Sequence, residues 1–310
     1  MSNVLVVGSY VVDLMSRAPH LPKPGETVLG GPFQMGPGGK GGNQATAAAR
    51  CGSEVTFVTK VGDDLFGRDA MKHFEAEHIN TQYIKVDPSQ STGAALIAVD
   101  AKSENSIVVA LGACGTINEE EVKEAEERFK TADIVLLQLE TSIKAVVTTV
   151  KLANKYGVHV ILNPAPYQEF PKEILSDVAY ITPNETEAFE LSGIEVKDEE
   201  SALMAARKIY EMGVGTVIIT LGAKGAFLYS GSNNGELVPG FTVEAVDTTG
   251  AGDAFNGGFA HALSTGYTVR EAMTFANAVA ALSVTKIGTA TAMPNKHEVE
   301  AILKREGIVK

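Results

Sequence analysis

The chain contains no tryptophan, two cysteines among 310 residues, and only 6% aromatic residues in total. Cys51 and Cys114 cannot supply the disulfide framework of a small secreted domain and are typical of a reducing compartment. No apolar run approaches the ~20 residues that a membrane-spanning helix requires. The N-terminal run Val4–Val7 is too short for a signal peptide. We therefore expect a soluble cytoplasmic protein with no membrane partner.

Positive charge is also scarce, because 38 Asp and Glu outnumber 26 Lys and Arg and give a net charge of −12. This excess argues against a nucleic-acid-binding surface. An anionic nucleotide could still bind where backbone amides, a lysine and a metal ion supply local positive charge. The six histidines are scattered without the spacing of metal ligands.

What the chain does contain is a regular alternation of short apolar, β-rich runs with helical stretches. Strands are predicted at Val4–Val7, Val55–Lys60, Ile134–Leu139, Val158–Leu162, Ala179–Thr182 and Thr216–Leu221. Helices are predicted at Ala45–Arg50, Leu65–His78, Glu119–Lys130, Ile143–Tyr156, Ser201–Met212, Ala254–Ser264 and Val269–Lys286. The alternation predicts one α/β domain over residues 1–310, with a mainly parallel sheet flanked by helices on both faces.

Two stretches, residues 10–42 and 91–111, interrupt this alternation. The first is rich in glycine and proline, and the second has two short apolar runs around a turn at residues 102–105. Both are predicted to be antiparallel ribbons inserted into the α/β body. Together they could form a small β-sheet lid over a substrate cleft, although ordinary surface hairpins would show the same pattern.

The most informative segment is 247–259, in which glycines precede a predicted helix. Gly250 and Gly252 flank Ala251, so the backbone can bend tightly and expose N–H groups at the helix start. Free amides and the positive end of the helix dipole favour an anion such as phosphate. Asp253 adds a carboxylate beside that anion, as phosphoryl transfer to an alcohol requires. The alternative is a tight turn followed by an ordinary first-turn aspartate.

Two further glycines, Gly257 and Gly258, lie inside this predicted helix. Each costs about 1 kcal/mol relative to alanine, so a compensating contact is expected. Close approach by another backbone or a ligand would explain them, and so would packing of the helix against the sheet.

A second glycine-rich segment, 36–43, precedes an alanine-rich predicted helix, and Asn43 is placed to cap that helix. Gly36, Gly38 and Gly41 match the GxGxxG pattern of dinucleotide-binding oxidoreductases. That fingerprint should follow the first strand directly, but Val4–Val7 runs into a different sequence. An NAD-dependent oxidoreductase therefore stays as an alternative, but the position of these glycines disfavours it. The sequence of a Walker A phosphate-binding loop is absent.

These two segments, Gly38–Gln44 and Asp247–Asp253, resemble the two signatures of the ribokinase family of sugar kinases, also called PfkB-type. The resemblance continues in the expected order across essentially the whole chain, through Val61–Asp64, Gln138–Glu140, Asn163–Pro166, Thr182–Glu187 and Thr220–Gly222. It implies a ribokinase-like fold and ATP-dependent transfer of the γ-phosphoryl group to the 5-hydroxyl of a pentose. A kinase of another small sugar or nucleoside, and a non-catalytic sugar-sensing protein, stay as alternatives.

The resemblance also implies roles for individual residues. Asp253 would be the catalytic base, beside an anion hole formed by Gly250, Ala251 and Gly252. The implied sugar-binding residues are Asp13, Gly39, Lys40, Asn43 and Glu140. The implied ATP-binding residues are Asn184, Thr220, Gly222, Gly225 and, near the adenine, Asn277. Glu187 would act on the water shell of Mg²⁺, although Asn184 and Glu187 also have the spacing of a capping box.

Two further implications concern a monovalent cation and assembly. Potassium would be held by Asp247 and Thr249, with later contributions, mainly through carbonyls, from Ser283, Lys286 and Gly288. The lid strands would pair between two subunits of a homodimer.

One position departs from the family pattern. Ribokinases typically carry Asn two residues before the sugar-binding aspartate, where it contacts a ribose hydroxyl, and this chain has Val11. An apolar side chain there resembles the 2-deoxyribose kinases of the same family. The choice between D-ribose and 2-deoxy-D-ribose therefore stays open, while the reaction type does not.

Overall fold

The structure, a computed structural model, describes residues 2–102, 104–231 and 234–308. Its strands are β1 (Asn3–Val7), β2 (Val11–Arg17), β3 (Phe33–Gly38), β4 (Glu54–Gly62), β5 (Ile84–Asp87), β6 (Thr92–Val99), β7 (Asn105–Gly112), β8 (Ile134–Gln138), β9 (His159–Asn163), β10 (Tyr180–Ile181), β11 (Thr216–Thr220), β12 (Gly225–Tyr229) and β13 (Glu236–Pro239). Its helices are α1 (Lys40–Cys51), α2 (Leu65–Ala76), α3 (Glu119–Lys123), α4 (Glu126–Phe129), α5 (Ile143–Tyr156), α6 (Glu185–Ser192), α7 (Glu199–Tyr210), α8 (Ala251–Ser264), α9 (Val269–Ser283) and α10 (Lys296–Arg305). Ser103, in the predicted turn at residues 102–105, lies outside the described residues.

The large sheet has the strand order β13-β12-β11-β10-β9-β8-β1-β4-β5. Neighbours from β11 to β5 pair in parallel, and β12 and β13 add an antiparallel edge. Successive side chains of β1 enter opposite cores: Leu5 and Val7 pack with residues of α5 and α7, and Val4 and Val6 with residues of α1, α8 and α9. Helices therefore cover both faces, which confirms the predicted fold class.

A second sheet, with the order β3-β2-β6-β7, is built from the two interrupting stretches. The pairs β2–β3 and β6–β7 are antiparallel, but β2 and β6 pair in parallel, with Asp13 beside Ala95. Each predicted ribbon is therefore antiparallel, as expected, and the two ribbons join through a parallel pair that the sequence pattern does not address. The reason is topological: β2 and β6 follow β1 and β5 directly, and those two strands run in the same direction in the large sheet.

Some predicted boundaries are also wrong. Helix α1 begins at Lys40, so Asn43 lies inside the helix and does not cap it. The first amide of α1 is satisfied from a distant segment, because Lys40 N donates to Glu140 Oε2 at 2.8 Å. The predicted helix over Glu119–Lys130 is divided into α3 and α4. Periodicity alone does not reveal the short elements β5, β12, β13, α6 and α10.

The GxGxxG glycines have no dinucleotide-binding context. Gly36 and Gly38 lie in β3 of the small sheet, and β1 leads into another strand, β2. None of the described helices is long and apolar enough to cross a membrane.

Gly257 and Gly258 allow α8 to pack closely against two helices. A Cβ atom on Gly257 would lie 2.6 Å from the carbonyl oxygen of Gln44 and 3.0 Å from the amide of Ala48, both in α1. One on Gly258 would lie 2.7 Å from a methyl carbon of Val279 in α9. The close neighbours are therefore helices rather than the sheet. This packing brings the first turns of α1 and α8 side by side.

Candidate active site

The first turn of α8 has free backbone amides. Gly250 precedes the helix with φ 78°, a left-handed conformation that glycine adopts without strain. Within the described chain, the amides of Gly252 and Asp253 donate to no acceptor, and the amide of Ala251 makes a long 3.3 Å bond to Thr248 O. A Cβ atom on Gly252 would meet nothing within 4 Å. These N–H groups can therefore bind an anion.

Asp253 lies in the same turn and is 5% exposed. Its Oδ2 accepts a hydrogen bond from Asn43 Nδ2, and its Oδ1 accepts one from Gln44 Nε2, both at 2.9 Å. Both donors belong to α1, so the two glycine-rich segments meet at this carboxylate. Each carboxylate oxygen keeps a lone pair with which it could accept a proton.

Lys40 is the cation beside this carboxylate. Burial alone would lower the pKa of Lys40, but the carboxylates of Asp253, Glu140 and Glu187 outweigh it and raise the pKa. Burial raises the pKa of Glu140 and of Glu187, and Lys40 partly offsets both changes. Lys40 is therefore protonated at neutral pH and available to a phosphoryl group.

Asp13 lines a cavity of about 600 Å³ between the small sheet and the loops at 245–249 and 287–291. Its Oδ2 accepts a hydrogen bond from the Thr289 hydroxyl at 2.8 Å. Burial raises the pKa of Asp13 to about 6, against the lowering effect of the Thr289 hydrogen bond. Glu140 Oε2 accepts from the Ser9 hydroxyl and the Lys40 amide. These carboxylates are acceptors of the kind that bind sugar hydroxyls.

A second cavity, of about 320 Å³, is lined by Ala251 and Gly252 of α8. The proposed nucleotide-binding residues that line it are Thr220, Gly222, Gly225 and Asn277. Asn277 Nδ2 donates to the carbonyls of Val238 and Pro239 at 3.1 and 3.0 Å, so Oδ1 is the atom with which its side chain could accept from a ligand. The apolar lining residues Phe241, Phe255 and Val284 suit a planar base.

Asn184 and Glu187 form a capping box at the start of α6. Asn184 Oδ1 accepts from the Glu187 amide at 2.8 Å, and Glu187 Oε2 accepts from the Asn184 amide at 2.9 Å. Glu187 Oε1 also accepts from Asn184 Nδ2, so both carboxylate oxygens are engaged. An engaged carboxylate fits Mg²⁺ through its water shell better than through direct ligation. Asn184 forms a parallel bridge with Thr220, which lines the second cavity.

Asp247 joins two loops near the start of α8. Its Oδ1 accepts from the Thr249 amide at 3.0 Å, and its Oδ2 accepts from the Gly288 amide at 3.1 Å. All three residues line the first cavity, whereas Ser283 and Lys286 do not. The Lys286 side chain forms an ion pair with Glu298, which leaves only its carbonyl for a cation. One carboxylate combined with backbone carbonyls fits a monovalent cation.

Val11 lies next to the site, at the start of β2 and two residues before Asp13. It is 2% exposed and belongs to the hydrophobic core that includes Ala95. It lies on the same face of β2 as Asp13, and a Cβ atom on Gly39 would meet the Val11 amide at 2.7 Å. Gly39, the residue that precedes α1, therefore lies directly against the backbone of this strand.

Sequence reasoning missed three side chains that hold the acidic groups of the site. They are Ser9, Gln44 and Thr289, the donors to Glu140, Asp253 and Asp13 respectively. Gln44 could have been noticed because it ends one of the two resemblance segments. Nothing near Ser9 or Thr289 in the sequence indicates their partners.

Taken together, an anion-binding helix start, a buried carboxylate beside it and two adjoining cavities define a phosphotransferase that acts on an alcohol group. Comparison with known proteins gives the same class, because the profile of the pfkB family of carbohydrate kinases matches residues 1–296. The chain belongs to the PfkB family of carbohydrate kinases.

Individual relatives are similar along nearly their whole length. The chain is 44% identical over 299 residues to the ribokinase of Haemophilus influenzae, covering 96% of this chain and 97% of that protein. It is 40% identical over 294 residues to the deoxyribokinase of Salmonella typhi, covering 94% and 96%. The structure of Arabidopsis thaliana ribokinase complexed with ribose and ATP matches with a TM-score of 0.90 at 31% identity, covering 98% and 99%. The ribokinase-like fold and the family resemblance are confirmed.

Proposed function

We propose that this chain is an ATP-dependent pentose kinase that phosphorylates the 5-hydroxyl of D-ribose or 2-deoxy-D-ribose. The observation that carries the proposal is the buried Asp253 carboxylate beside the Gly252 amide, which donates to no acceptor among the described residues. Similarity to a ribokinase and a deoxyribokinase supports a pentose as the acceptor. The ribose and ATP in the similar Arabidopsis structure support the same pair of substrates.

In this mechanism the sugar binds beside Asp13, at the part of the first cavity near Glu140 and Asp253, whose charges act on Asp13. Hydroxyls of the sugar would donate to Asp13 and Glu140, with Gly39 and Asn43 completing the contacts, so that the 5-hydroxyl faces Asp253. Because an alcohol is a very weak acid, Asp253 orients the oxygen and takes its proton while the new P–O bond forms. The bond between the γ-phosphorus and the leaving ADP oxygen breaks in line.

Charge on the transferring group would be stabilised by the amides of Gly250, Ala251 and Gly252 and by the Lys40 ammonium. Mg²⁺, when bound with ATP, neutralises phosphate charge, and Asn184 and Glu187 would hold its water shell. The nucleotide itself would lie in the second cavity against Thr220, Gly222, Gly225 and Asn277. Closure of the small sheet as a lid would exclude water, which otherwise competes as the phosphoryl acceptor.

A coupled assay of ADP release across pentoses, hexoses, nucleosides and sugar phosphates tests this function. D-ribose or 2-deoxy-D-ribose should give the highest kcat/KM. A higher kcat/KM for a hexose or a nucleoside would contradict the pentose as substrate but support the kinase activity. Tight NAD binding without ADP release would support the oxidoreductase alternative, and sugar binding without turnover would support the sensor.

We also propose a potassium site at Asp247 and Thr249, completed by carbonyls of Ser283, Lys286 and Gly288. A cation there would pull on the loop that carries the anion hole and align its amides. Activity should therefore be higher in K⁺ than in Na⁺ or a large organic cation at matched ionic strength.

The variant Asp247→Asn keeps the shape of this side chain but removes its charge, so the preference for K⁺ should disappear. Glu244→Gln is the matched control, since Glu244 is an exposed acid three residues earlier, and it should keep the preference. Equal initial rates of the parent enzyme in all three salts would contradict the site.

Sugar binding should weaken in acid because of Asp13. With a pKa of about 6, its carboxylate is ionised at pH 7 and becomes protonated as the pH falls through 6. A protonated carboxyl accepts hydrogen bonds less well, so KM for the sugar should rise below about pH 6.

The variant Thr289→Val removes a hydrogen bond that lowers this pKa, so the rise in KM should begin at a higher pH. Thr291→Val is the control, because Thr291 lines the same cavity but does not bond Asp13 in the described chain. A sugar KM that stays constant between pH 5 and pH 7.5 in the parent enzyme would contradict the proposal that Asp13 binds the sugar.

For assembly we propose a homodimer formed through the small sheet. On the face opposite Asp13, an apolar row of Met35, Leu14, Leu96 and Val108 crosses all four strands. Leu96 and Val108 are 56% and 62% exposed in the single chain. Contact with a second copy would bury this row.

Leu96→Glu should halve the mass measured by sedimentation equilibrium, from about twice 32.6 kDa to 32.6 kDa. Leu65→Glu is the control, since Leu65 is similarly exposed (59%) but lies on α2. A parent protein that sediments as a monomer at micromolar concentration would contradict the dimer.

The proposed location is the cytoplasm. Cys51 and Cys114 are both buried and free of disulfides. Thiols of this kind persist where glutathione and thioredoxin keep proteins reduced.

A further inference from the structure

Four segments that carry the family resemblance contribute buried polar side chains with no part in the proposed mechanism. They are Gln44, Gln138, Asn163 and Thr182, each no more than 6% exposed. A buried polar group costs free energy unless it is hydrogen-bonded, so its partners indicate its purpose. The contacts of these four side chains lead to the first turns of α8.

Gln44 is at the centre of these contacts. Its Nε2 donates to Asp253 Oδ1 at 2.9 Å and to Asn163 Oδ1 at 3.1 Å. Its Oε1 accepts from Gln138 Nε2 at 2.6 Å. Because the Asp253 carboxylate can only accept, the Gln44 amide must present Nε2 to it, which directs Gln44 Oε1 at the Gln138 donor and leaves the second Nε2 hydrogen for Asn163.

The remaining contacts return to α8 by a second route. Asn163 Nδ2 donates to the Thr182 carbonyl at 3.0 Å, and the Thr182 hydroxyl donates to Asn256 Oδ1 at 2.6 Å. Asn256 Nδ2 donates to the Gly252 carbonyl at 2.8 Å. The hydrogen bonds thus form a closed ring that holds both the Asp253 carboxylate and the peptide of the proposed anion hole.

The two donors to Asp253 differ in what else they contact. Asn43 Oδ1 is buried without a hydrogen-bond partner among the described residues, so this side chain has an atom to offer a ligand. The three contacts of Gln44 are all internal. Close packing at Gly257, which a Cβ atom would prevent, keeps Gln44 within reach of α8.

We infer that Gln44 is a positioning residue for phosphoryl transfer, which fixes the Asp253 carboxylate relative to the amides at the start of α8. Gln138 and Asn163 hold Gln44 in turn. This inference rests on the proposed role of Asp253 as the base. Asp253 can direct the proton transfer only if its free lone pair points at the sugar hydroxyl, and a rotation of the carboxylate would offer it to water instead.

The test is Gln44→Met, which keeps length and volume but removes both the donors and the acceptor. We expect kcat to fall about 10- to 100-fold, as a displacement of the reacting groups by about 1 Å would cause. KM for sugar and for ATP should change by less than about threefold, because Gln44 contacts neither substrate. The ratio of ADP to sugar phosphate should rise above one, because water then competes for the phosphoryl group.

Gln138→Met should act in the same direction with a smaller effect, since it frees Gln44 but leaves every contact of Asp253 in place. Thr149→Val is the control, because it removes from α5 a buried hydroxyl that lies outside the ring and has no hydrogen-bond partner in the described part of the chain. It should leave kcat and the product ratio unchanged. A purely structural role would lower the melting temperature of Gln44→Met without changing the product ratio.

Parent-like kcat and product ratio in Gln44→Met would overturn the inference. If Gln44→Met does not fold, parent-like values in Gln138→Met overturn it instead. Asp253→Asn, assayed in parallel, separates the role of the base from the role of Gln44. Normal turnover in Asp253→Asn would contradict the role of Asp253 as the base. An inactive Asp253→Asn together with parent-like kinetics in Gln44→Met would contradict only the positioning role of Gln44.

Discussion

Replacing Asp253 with asparagine should lower kcat by at least about 100-fold while ATP still binds. Asp253 lies in the first turn of α8, and Asn43 and Gln44 hold its carboxylate in place. Asparagine has nearly the same shape but cannot take the proton of the attacking hydroxyl. Steady-state kinetics measures the loss, and calorimetric titration checks that the Kd for Mg-ATP is retained.

Glu271→Gln is the matched control for this substitution. Glu271 is also the third residue of its helix, α9, and its carboxylate accepts from the Thr268 amide. The control should cost some stability and leave kcat unchanged. Near-parent turnover in purified, folded Asp253→Asn would contradict the assignment of the base.

Val11→Asn should move the preference of the enzyme toward D-ribose. Val11 lies against Gly39 and on the same strand face as Asp13, so the 2-hydroxyl of ribose would meet a methyl surface there. A buried hydroxyl without a partner costs about 1–3 kcal/mol, or about 5- to 150-fold in affinity. 2-Deoxy-D-ribose escapes this penalty, and an asparagine amide would remove it for ribose.

The decisive quantity is the ratio of kcat/KM for the two sugars, because it does not depend on the fraction of active protein. Val12→Asn is the control: this neighbouring buried valine lies on the opposite face of β2 and should leave the ratio unchanged. A ratio altered by less than about twofold in Val11→Asn would mean that this position does not distinguish the sugars.

The start of α8 was within reach of sequence reasoning because its determinants are local. A glycine at φ 78°, a free helix start and a first-turn aspartate occupy four consecutive residues, 250–253. The alternation of apolar runs likewise reveals the main sheet, since each strand and helix carries its own periodicity.

The support of the site could not be predicted because its contacts are distant in sequence. Glu140 bonds the first amide of α1 across 100 residues, Gln44 reaches Asp253 across 209, and Thr289 reaches Asp13 across 276. The wrong assignment of Asn43 as a cap has the same origin. The local pattern favours a cap, but the distant Glu140 carboxylate accepts from the first amide of α1. The Asn43 side chain instead donates to Asp253.

Identification of the product can test whether the enzyme transfers phosphate from ATP to the 5-hydroxyl of a pentose. The enzyme would be incubated with Mg-ATP, K⁺ and either ¹³C-labelled D-ribose or 2-deoxy-D-ribose, and the products followed by ³¹P and ¹³C NMR. We predict ADP and sugar phosphate in equal amounts, with carbon–phosphorus coupling at C5 and C4. Phosphate on another hydroxyl, or ADP formed together with inorganic phosphate and no sugar phosphate, would contradict this function.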